Sequence, residues 1–335
     1  MPAGRSRLSV AVTGPTGTFG FGLVPLLEAD ERIGRIVGIA RRPFDPGEHG
    51  WTKMRYERGD VRDREALERA FAGADVVVHL AFMITGRADR PTIRAINVDG
   101  TLNAFAAAAA VGARRFVYAS SVAAYGFRRD NPIGMTEDWP TRPAEHLFYS
   151  QEKAQIEQLL QQAAAARPAV ELYLLRPPVV LGPHTVGAKR LVPERLEPLG
   201  RRLARALPLR VPALVPPLPL QFVHEDDVGE ALRLCAVGAG PPGAYNIAGD
   251  GVVTAVDVAR ELGLLAVAAP RAPFQLAARL LAALPFAPPA MGWAEALSAP
   301  AIMDTAKARR ELGWSPRHTG LEALRDTLRA QRERR

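Results

Sequence analysis

The sequence is poor in cysteine, lysine, aromatic residues and long apolar runs. Its single cysteine, Cys235, excludes an internal disulfide and any multi-cysteine metal site. That points to a reducing, cytoplasmic setting, and no metal site is expected. A membrane-spanning helix needs ~20 apolar residues. The longest uncharged stretch near the C-terminus, Leu280 to Ala294, spans fifteen residues with three prolines inside, so no membrane association is expected. Met1 to Arg7 holds two arginines and runs straight into an apolar segment, without the apolar core of a signal peptide. Aromatics make up 7% of the chain, and only four of its 43 basic residues are lysine. The net charge of +8 raises the question of nucleic acid. The arginines, however, are spread along the chain in short clusters such as Arg41-Arg42, Arg114-Arg115 and Arg201-Arg202, not interleaved with aromatics. No nucleic-acid partner is expected; the basic balance suits an acidic small-molecule ligand or cofactor.

What is present is regular alternation. The 335 residues, 48% hydrophobic and 23% charged, are enough for about two structural units and exclude disorder. Strand-like runs at Leu8–Val12, Arg35–Ala40, Lys53–Arg58, Asp75–Leu80, Arg115–Ala119 and Val170–Leu175 alternate with helical segments at Phe21–Asp30, Asp63–Ala72, Pro91–Val111 and His146–Ala166. Such alternation implies βαβ units and a parallel sheet. The expected fold is therefore α/β: a Rossmann-type doubly wound parallel sheet over residues 1–177. A smaller C-terminal α/β substrate lobe follows over residues 178–335, with some segments returning to the sheet. In that half a strand is expected at Leu220–His224, helices at Asp226–Val237 and Thr254–Leu262, a strand at Ala244–Ile247, and closing helices at Asp304–Leu312 and Leu321–Arg332.

Gly14, Gly17 and Gly20 form G-x-x-G-x-x-G between the first strand and the first helix. One glycine permits a tight turn, another lets a pyrophosphate approach the backbone, and the last lets the helix pack on the strand. Free N–H groups and the helix dipole then attract phosphate. Alone the pattern is weak; its place after the first strand gives it force. The second strand ends Gly38-Ile39-Ala40-Arg41-Arg42, with no acid for a ribose 2′-hydroxyl. An arginine fork suits a 2′-phosphate instead, so NADP(H) is favoured, with NAD(H) the alternative.

Tyr149 and Lys153, spaced i, i+4, fall on one face of the helix expected from His146. An ammonium near a phenol lowers the phenol's pKa, and a tuned phenol passes a proton to or from a substrate oxygen. Ser120 and Ser121 close the preceding strand, where their hydroxyls reach toward the same oxygen. Here the chain resembles the extended short-chain dehydrogenase/reductase family, also called the NAD-dependent epimerase/dehydratase family. Further matches run nearly its whole length: Gly59-Asp60-Val61-x-Asp63, His79-Leu80-Ala81, Asn97-x-x-Gly100-Thr101-x-Asn103, Ser120-Ser121-x-x-x-Tyr125-Gly126, Arg176-Pro177, Phe222-Val223-His224-x-Asp226-Asp227 and Tyr245-Asn246-Ile247.

The resemblance implies roles. Tyr149 is the acid/base, Lys153 binds the nicotinamide ribose and lowers the Tyr149 pKa, and Ser121 bonds the reacting oxygen, with Ser120 behind it. Asn97 supports the proton relay. The cofactor lies against Gly14, Thr16, Gly17, Thr18, Phe19 and Gly20, with Arg41 and Arg42 at the ribose. Asp60 and Val61 meet the adenine, Leu80 and Ala81 line the channel, and Pro177 and Val179 border the nicotinamide. The resemblance also suggests a homodimer through the helices at Pro91–Val111 and His146–Ala166. His224 is read as a junction residue and Cys235 as core.

Two departures from the family pattern matter. Val122 and Ala123 stand where the family's dehydratases carry an Asp-Glu pair, which disfavours dehydration. Leu218-Pro219-Leu220-Gln221 stands where many nucleotide-sugar members carry a phosphate-binding arginine, although Arg190, Arg195, Arg201 or Arg202 offer charge nearby. Apolar stretches at Leu207–Leu220 and Phe274–Trp293 suit either a hydrophobic substrate pocket or ordinary core. The leading expectation is an NAD(P)-dependent oxidoreductase for a carbonyl or secondary alcohol. A nucleotide-sugar 4-epimerase holding NAD tightly is the alternative, and a non-catalytic dinucleotide sensor the third reading.

Overall fold

A computed structural model describes residues 7–84, 88–145, 147–185, 213–270 and 299–334. The strands are β1 (Leu8–Thr13), β2 (Ile33–Ala40), β3 (Met54–Arg58), β4 (Val76–His79), β5 (Arg115–Ala119), β6 (Glu171–Arg176), β7 (Val179–Leu181), β8 (Ala213–Val215), β9 (Pro219–Leu220), β10 (Phe222–His224), β11 (Gly243–Asn246), β12 (Val253–Thr254) and β13 (Ala266–Ala268). The helices are α1 (Thr18–Ala29), α2 (Arg64–Phe71), α3 (Arg90–Arg94), α4 (Gly100–Ala110), α5 (Phe148–Ala165), α6 (Glu225–Val237), α7 (Ala255–Glu261) and α8 (Gly320–Glu333).

Seven strands form one sheet in the order β11-β6-β5-β4-β1-β2-β3, every pair parallel. The strand sequence explains why both faces are covered. In β1, Val10 and Val12 join the core on one side while Ala11 joins the core on the other. In β4, Val76 and Val78 face one way and Val77 the other. A run of β-branched residues without polar alternation has no face to offer water, so helices must lie on both sides. Helices α1 and α6 cover the first face, with the fully buried Trp314. Helices α2, α4 and α5 cover the second.

The helix expected over Pro91–Val111 is interrupted. A π turn, Ala95–Asp99, separates α3 from α4, and Asn97 is buried within it. The extra residue in that turn is a common device at functional sites, invisible to a 3.6-residue period. Helix α5 begins at Phe148; His146 lies outside the described residues. Across the boundary drawn at residue 177, β11 extends the main sheet beside β6 and α6 packs on α1. The rest of that half contributes two-stranded pairs, β7 with β10, β9 with β12 and β8 with β13. Such short strands lack the periodicity that betrays longer ones. The expected closing helix at Asp304–Leu312 ends in a π turn, Ala308–Leu312. No described helix is long and apolar enough to cross a membrane.

Helices α1 and α6 approach so closely that backbone meets backbone. A Cβ on Gly22 would sit 2.1 Å from the Glu225 carbonyl oxygen, and one on Gly229 would sit 2.1 Å from the Gly22 oxygen. Neither atom is the movable tip of a side chain, so the helices themselves would have to separate. Gly229→Ala is therefore expected to destabilise the protein by about 2–3 kcal/mol, read as a lowered urea midpoint. An unchanged midpoint would show that the helices are looser than this packing implies.

Candidate functional site

The site lies at the carboxyl ends of β1, β4, β5 and β6, where parallel sheets leave a crevice for ligands. Gly14 turns the chain after β1 with φ +70, and a Cβ there would be 3.0 Å from the Ala81 nitrogen. Gly20 admits no side chain either, since its Cβ would be 2.0 Å from the Pro15 oxygen. Gly17 differs. A Cβ there would meet only the Gly14 oxygen, at 3.5 Å, and Gly17 starts α1 without a side-chain cap. The space ahead of α1 is thus the kind of cradle a pyrophosphate fills. Thr16, Thr18 and Phe19 are half-buried around it, and the Thr18 hydroxyl donates to the His184 carbonyl at 3.2 Å.

Arg41 and Arg42 follow β2 and are exposed. Their carbonyls are engaged, Arg41 by the Arg58 guanidinium at 3.0 Å and Arg42 by the Tyr56 hydroxyl. Asp60, expected against adenine, is chelated by Arg62 through Nε at 3.0 Å and Nη2 at 2.8 Å. That guanidinium holds its carboxyl below the usual range. Val61 is buried beneath it. Leu80 and Ala81 flank the end of β4, their N–H groups donating to Thr13 Oγ1 at 3.2 and 3.3 Å. Pro177 is buried, its carbonyl accepting from the Val122 N–H at 2.9 Å, and Val179 is 55% exposed on β7.

Tyr149, Ser121 and Lys153 converge. Burial raises the pKa of the half-buried Tyr149, and the Ser121 side chain beside it pulls the other way. Ser121 Oγ accepts from the Ala123 N–H at 3.1 Å. Ser120 points the other way, into a 2.5 Å hydrogen bond with Glu157 Oε1. Buried Lys153 donates to the Ala119 carbonyl at 2.7 Å and the Tyr118 hydroxyl at 3.0 Å. Its Nζ sits 3.8 Å above the Phe82 ring and 5.9 Å from the centre of the Tyr149 ring. The sequence predicts a Tyr149 pKa lowered by Lys153; the structure gives a raised one. Desolvation outweighs every other influence on the phenol, and the ammonium is spent on β5. Burial also brings Lys153 itself down to about 7, although Glu157 and Glu152 pull the other way.

Several residues of this centre carry no role in the sequence reading. Glu152 and Glu157 are buried carboxylates on α5. Glu157 accepts from two nitrogens of Arg176 on β6, Nε at 3.0 and 3.2 Å and Nη2 at 2.6 Å. Glu152 accepts from Asn97 Nδ2 at 2.8 Å and from Arg90 at 3.2 Å. Asn97, expected in a proton relay, spends its amide on that carboxylate and on the Met83 backbone, accepting from N at 2.7 Å and donating to O at 3.0 Å. The Asn97 backbone carbonyl takes the Thr101 hydroxyl at 2.5 Å. Thr101 in turn lies 3.1 Å from His79 Nε2, and His79 Nδ1 lies 2.8 Å from Thr13 Oγ1. Burial keeps His79 neutral, its pKa lowered to about 3. The spacing of Glu157 four residues beyond Lys153 was a usable signal for a shared face; the distant partners gave none.

Residues 10–248 match the NAD dependent epimerase/dehydratase family. An uncharacterised protein of Sinorhizobium fredii is 28% identical across 97% of this chain and 78% of its own length. An undecaprenyl-diphosphate-linked N-acetylglucosaminyl 4-epimerase of Escherichia coli O157:H7 is 36% identical over 131 residues, 38% of each chain. Among solved structures, MoeE5 in complex with UDP-glucuronic acid and NAD superposes with a TM-score of 0.68 at 25% identity, covering 98% of this chain and 100% of its own.

The Lys153 environment has a measurable consequence. Its pKa is about 7 when folded, against 10.5 as the ordinary value. Between those values the unfolded chain binds the extra proton, so this group makes stability rise with pH. In urea unfolding of the cofactor-free protein, wild type should gain on Lys153→Met from pH 7 to pH 9.5, by at most about 1.4 kcal/mol per pH unit. A difference independent of pH would mean the ammonium is not desolvated.

Proposed function

The chain belongs to the NAD-dependent epimerase/dehydratase family, and from that premise we propose an NAD(P)-dependent oxidoreductase acting on a carbonyl or secondary alcohol. The observation that carries this reading is the convergence of Tyr149, Ser121 and Lys153 beside a glycine turn with room for a pyrophosphate. Gly14, Gly17 and Gly20 with the start of α1 hold the diphosphate, Val61 borders the adenine, and Leu80, Ala81, Pro177 and Val179 line the path to the nicotinamide. The cofactor, when bound, supplies or accepts the hydride. Tyr149 gives its proton to the substrate oxygen in reduction and takes one in oxidation. The raised pKa keeps the phenol protonated at neutral pH, the form reduction requires. Ser121, whose oxygen already accepts from the Ala123 N–H, turns its own proton toward the substrate oxygen. Protonated Lys153 has three donors and commits two to β5, leaving one for a ribose hydroxyl. Asn97 acts as a positioning residue through Met83 and Glu152.

The exposed Arg41 and Arg42, with no acid at the end of β2, favour NADP(H) by gripping a 2′-phosphate. A homodimer through α4 and α5 and a cytoplasmic location complete this reading. A second reading, a nucleotide-sugar 4-epimerase with retained NAD, is favoured by the likeness to MoeE5 and to the Escherichia coli 4-epimerase. The arginines that would serve it, Arg190, Arg195, Arg201 and Arg202, lie outside the described residues, as do Phe274–Trp293 and residues 207–212 of the Leu207–Leu220 stretch.

Tyr149→Phe should cut turnover by about 10²–10⁴ while cofactor affinity stays within about twofold. Unchanged turnover, or no turnover in wild type on any carbonyl or sugar nucleotide, would favour a dinucleotide sensor. Arg41→Ala with Arg42→Ala should weaken NADPH by at least tenfold, about 1.4 kcal/mol, and leave NADH unmoved. Mass spectrometry of the denatured, freshly purified protein divides the other two readings. Stoichiometric NAD would select the epimerase, and an empty protein preferring NADPH the reductase.

A further inference from the structure

Away from the catalytic cleft, among the described residues, His224, His318 and Asp326 bring one ligating atom each to within 4.8 Å of one another. They come from three separate places. His224 ends β10 and caps α6, His318 stands two residues before α8, and Asp326 lies within α8. The two imidazoles are stacked, centroids 4.1 Å apart with planes 30° from parallel.

The unusual atom is His224 Nε2. The ring is 3% exposed, and Nε2 has no hydrogen-bond partner; Asp326 Oδ2 is 4.0 Å away, too far for one. Buried polar atoms are normally satisfied, so an orphan asks for an explanation. The Nδ1 of each ring has an acidic neighbour. His318 Nδ1 lies 3.2 Å from Asp227 Oδ2, and His224 Nδ1 lies 3.5 Å from Asp226 Oδ2 and 3.2 Å from the Asp226 N–H. If that N–H determines the tautomer, the His224 proton sits on Nε2 and meets nothing. If the proton instead sits on Nδ1, facing the Asp226 carboxylate, Nε2 presents a lone pair toward Asp326. A carboxylate behind each imidazole is the arrangement that orients metal-bound histidine.

We propose that His224, His318 and Asp326 form a divalent transition-metal site of the Zn²⁺ class, tying α8 to the β10–α6 corner. Two imidazoles and a carboxylate are ordinary Zn²⁺ ligands at about 2.0–2.2 Å, with water completing the shell. Closing the shell draws the three atoms to about 3.3 Å from one another, as bonds of that length require. His318 and Asp326 retain 28% and 32% of their side-chain exposure, so they can turn and an ion can enter. The proposal is independent of the reading of Tyr149 and its neighbours, and replaces the expectation from sequence that no metal is held.

The test uses untagged, full-length, chelator-treated protein titrated with Zn²⁺ by calorimetry. One equivalent should bind with micromolar or tighter affinity, and the unfolding temperature should rise by about 4 °C at a hundredfold excess over Kd. His318→Ala and Asp326→Asn should each weaken Zn²⁺ at least tenfold and leave NADPH and NADH affinity as in wild type. Co²⁺ added to the wild-type protein should give ligand-field absorption bands that Zn²⁺ displaces, a readout that needs no variant. Wild-type affinity weaker than about 1 mM, or one-equivalent binding that survives either substitution, would overturn the site.

Discussion

The shape of the candidate site depends on the buried side-chain amide of Asn97. From a π turn between α3 and α4 it reaches the Met83 backbone on one side and Glu152 of α5 on the other. The backbone carbonyl of Asn97 joins a second chain through Thr101 and His79 to Thr13, at the base of the glycine turn. The loop after β4, the helix of Tyr149 and Lys153, and the glycine turn are thereby tied to one residue. In a low-dielectric interior each such bond is stronger than in water, and each missing partner is costlier. The chain works because every group in it is satisfied, including a histidine that burial keeps neutral.

The same economy governs the charges. Glu157 and Arg176 are almost wholly buried, and their pairing is bidentate, with Ser120 and Tyr125 occupying further sites on the two groups. Tyr125 passes the contact to Asn246, whose amide reaches the Met135 and Asp304 carbonyls. A buried ion pair contributes little net stability, because desolvation offsets attraction. What it supplies here is orientation: Ser120 is held away from Tyr149, and Ser121 faces it. Lys153, flanked by Glu152 and Glu157, stays close to the balance between charged and neutral forms.

Some features of this arrangement were legible from local spacing. Gly14 and Gly20 stand where the backbone tolerates no side chain, and a glycine in those places is a direct reading of steric demand. The valines of β4 announce a strand covered on both faces. Tyr149 and Lys153 fall on one face because four residues make slightly more than one helical turn. The π turn at Asn97 was not legible, because one extra residue in a helix leaves the apolar pattern almost unchanged. Nor was the raised pKa of Tyr149. Spacing says that an ammonium is near, but only burial and competing acceptors decide where its protons go.

By itself, then, the sequence determined the parallel sheet, the glycine turn and the Tyr–Lys face, since each follows from periodicity or from excluded volume within a few residues. Tertiary structure alone decided the partners: Asn97 with Glu152, Glu157 with Arg176, His224 beside His318 across 94 positions. Hydrogen bonds and ion pairs act over about 3 Å, and residues far apart in the chain meet at that distance only after the sheet and its helices have packed.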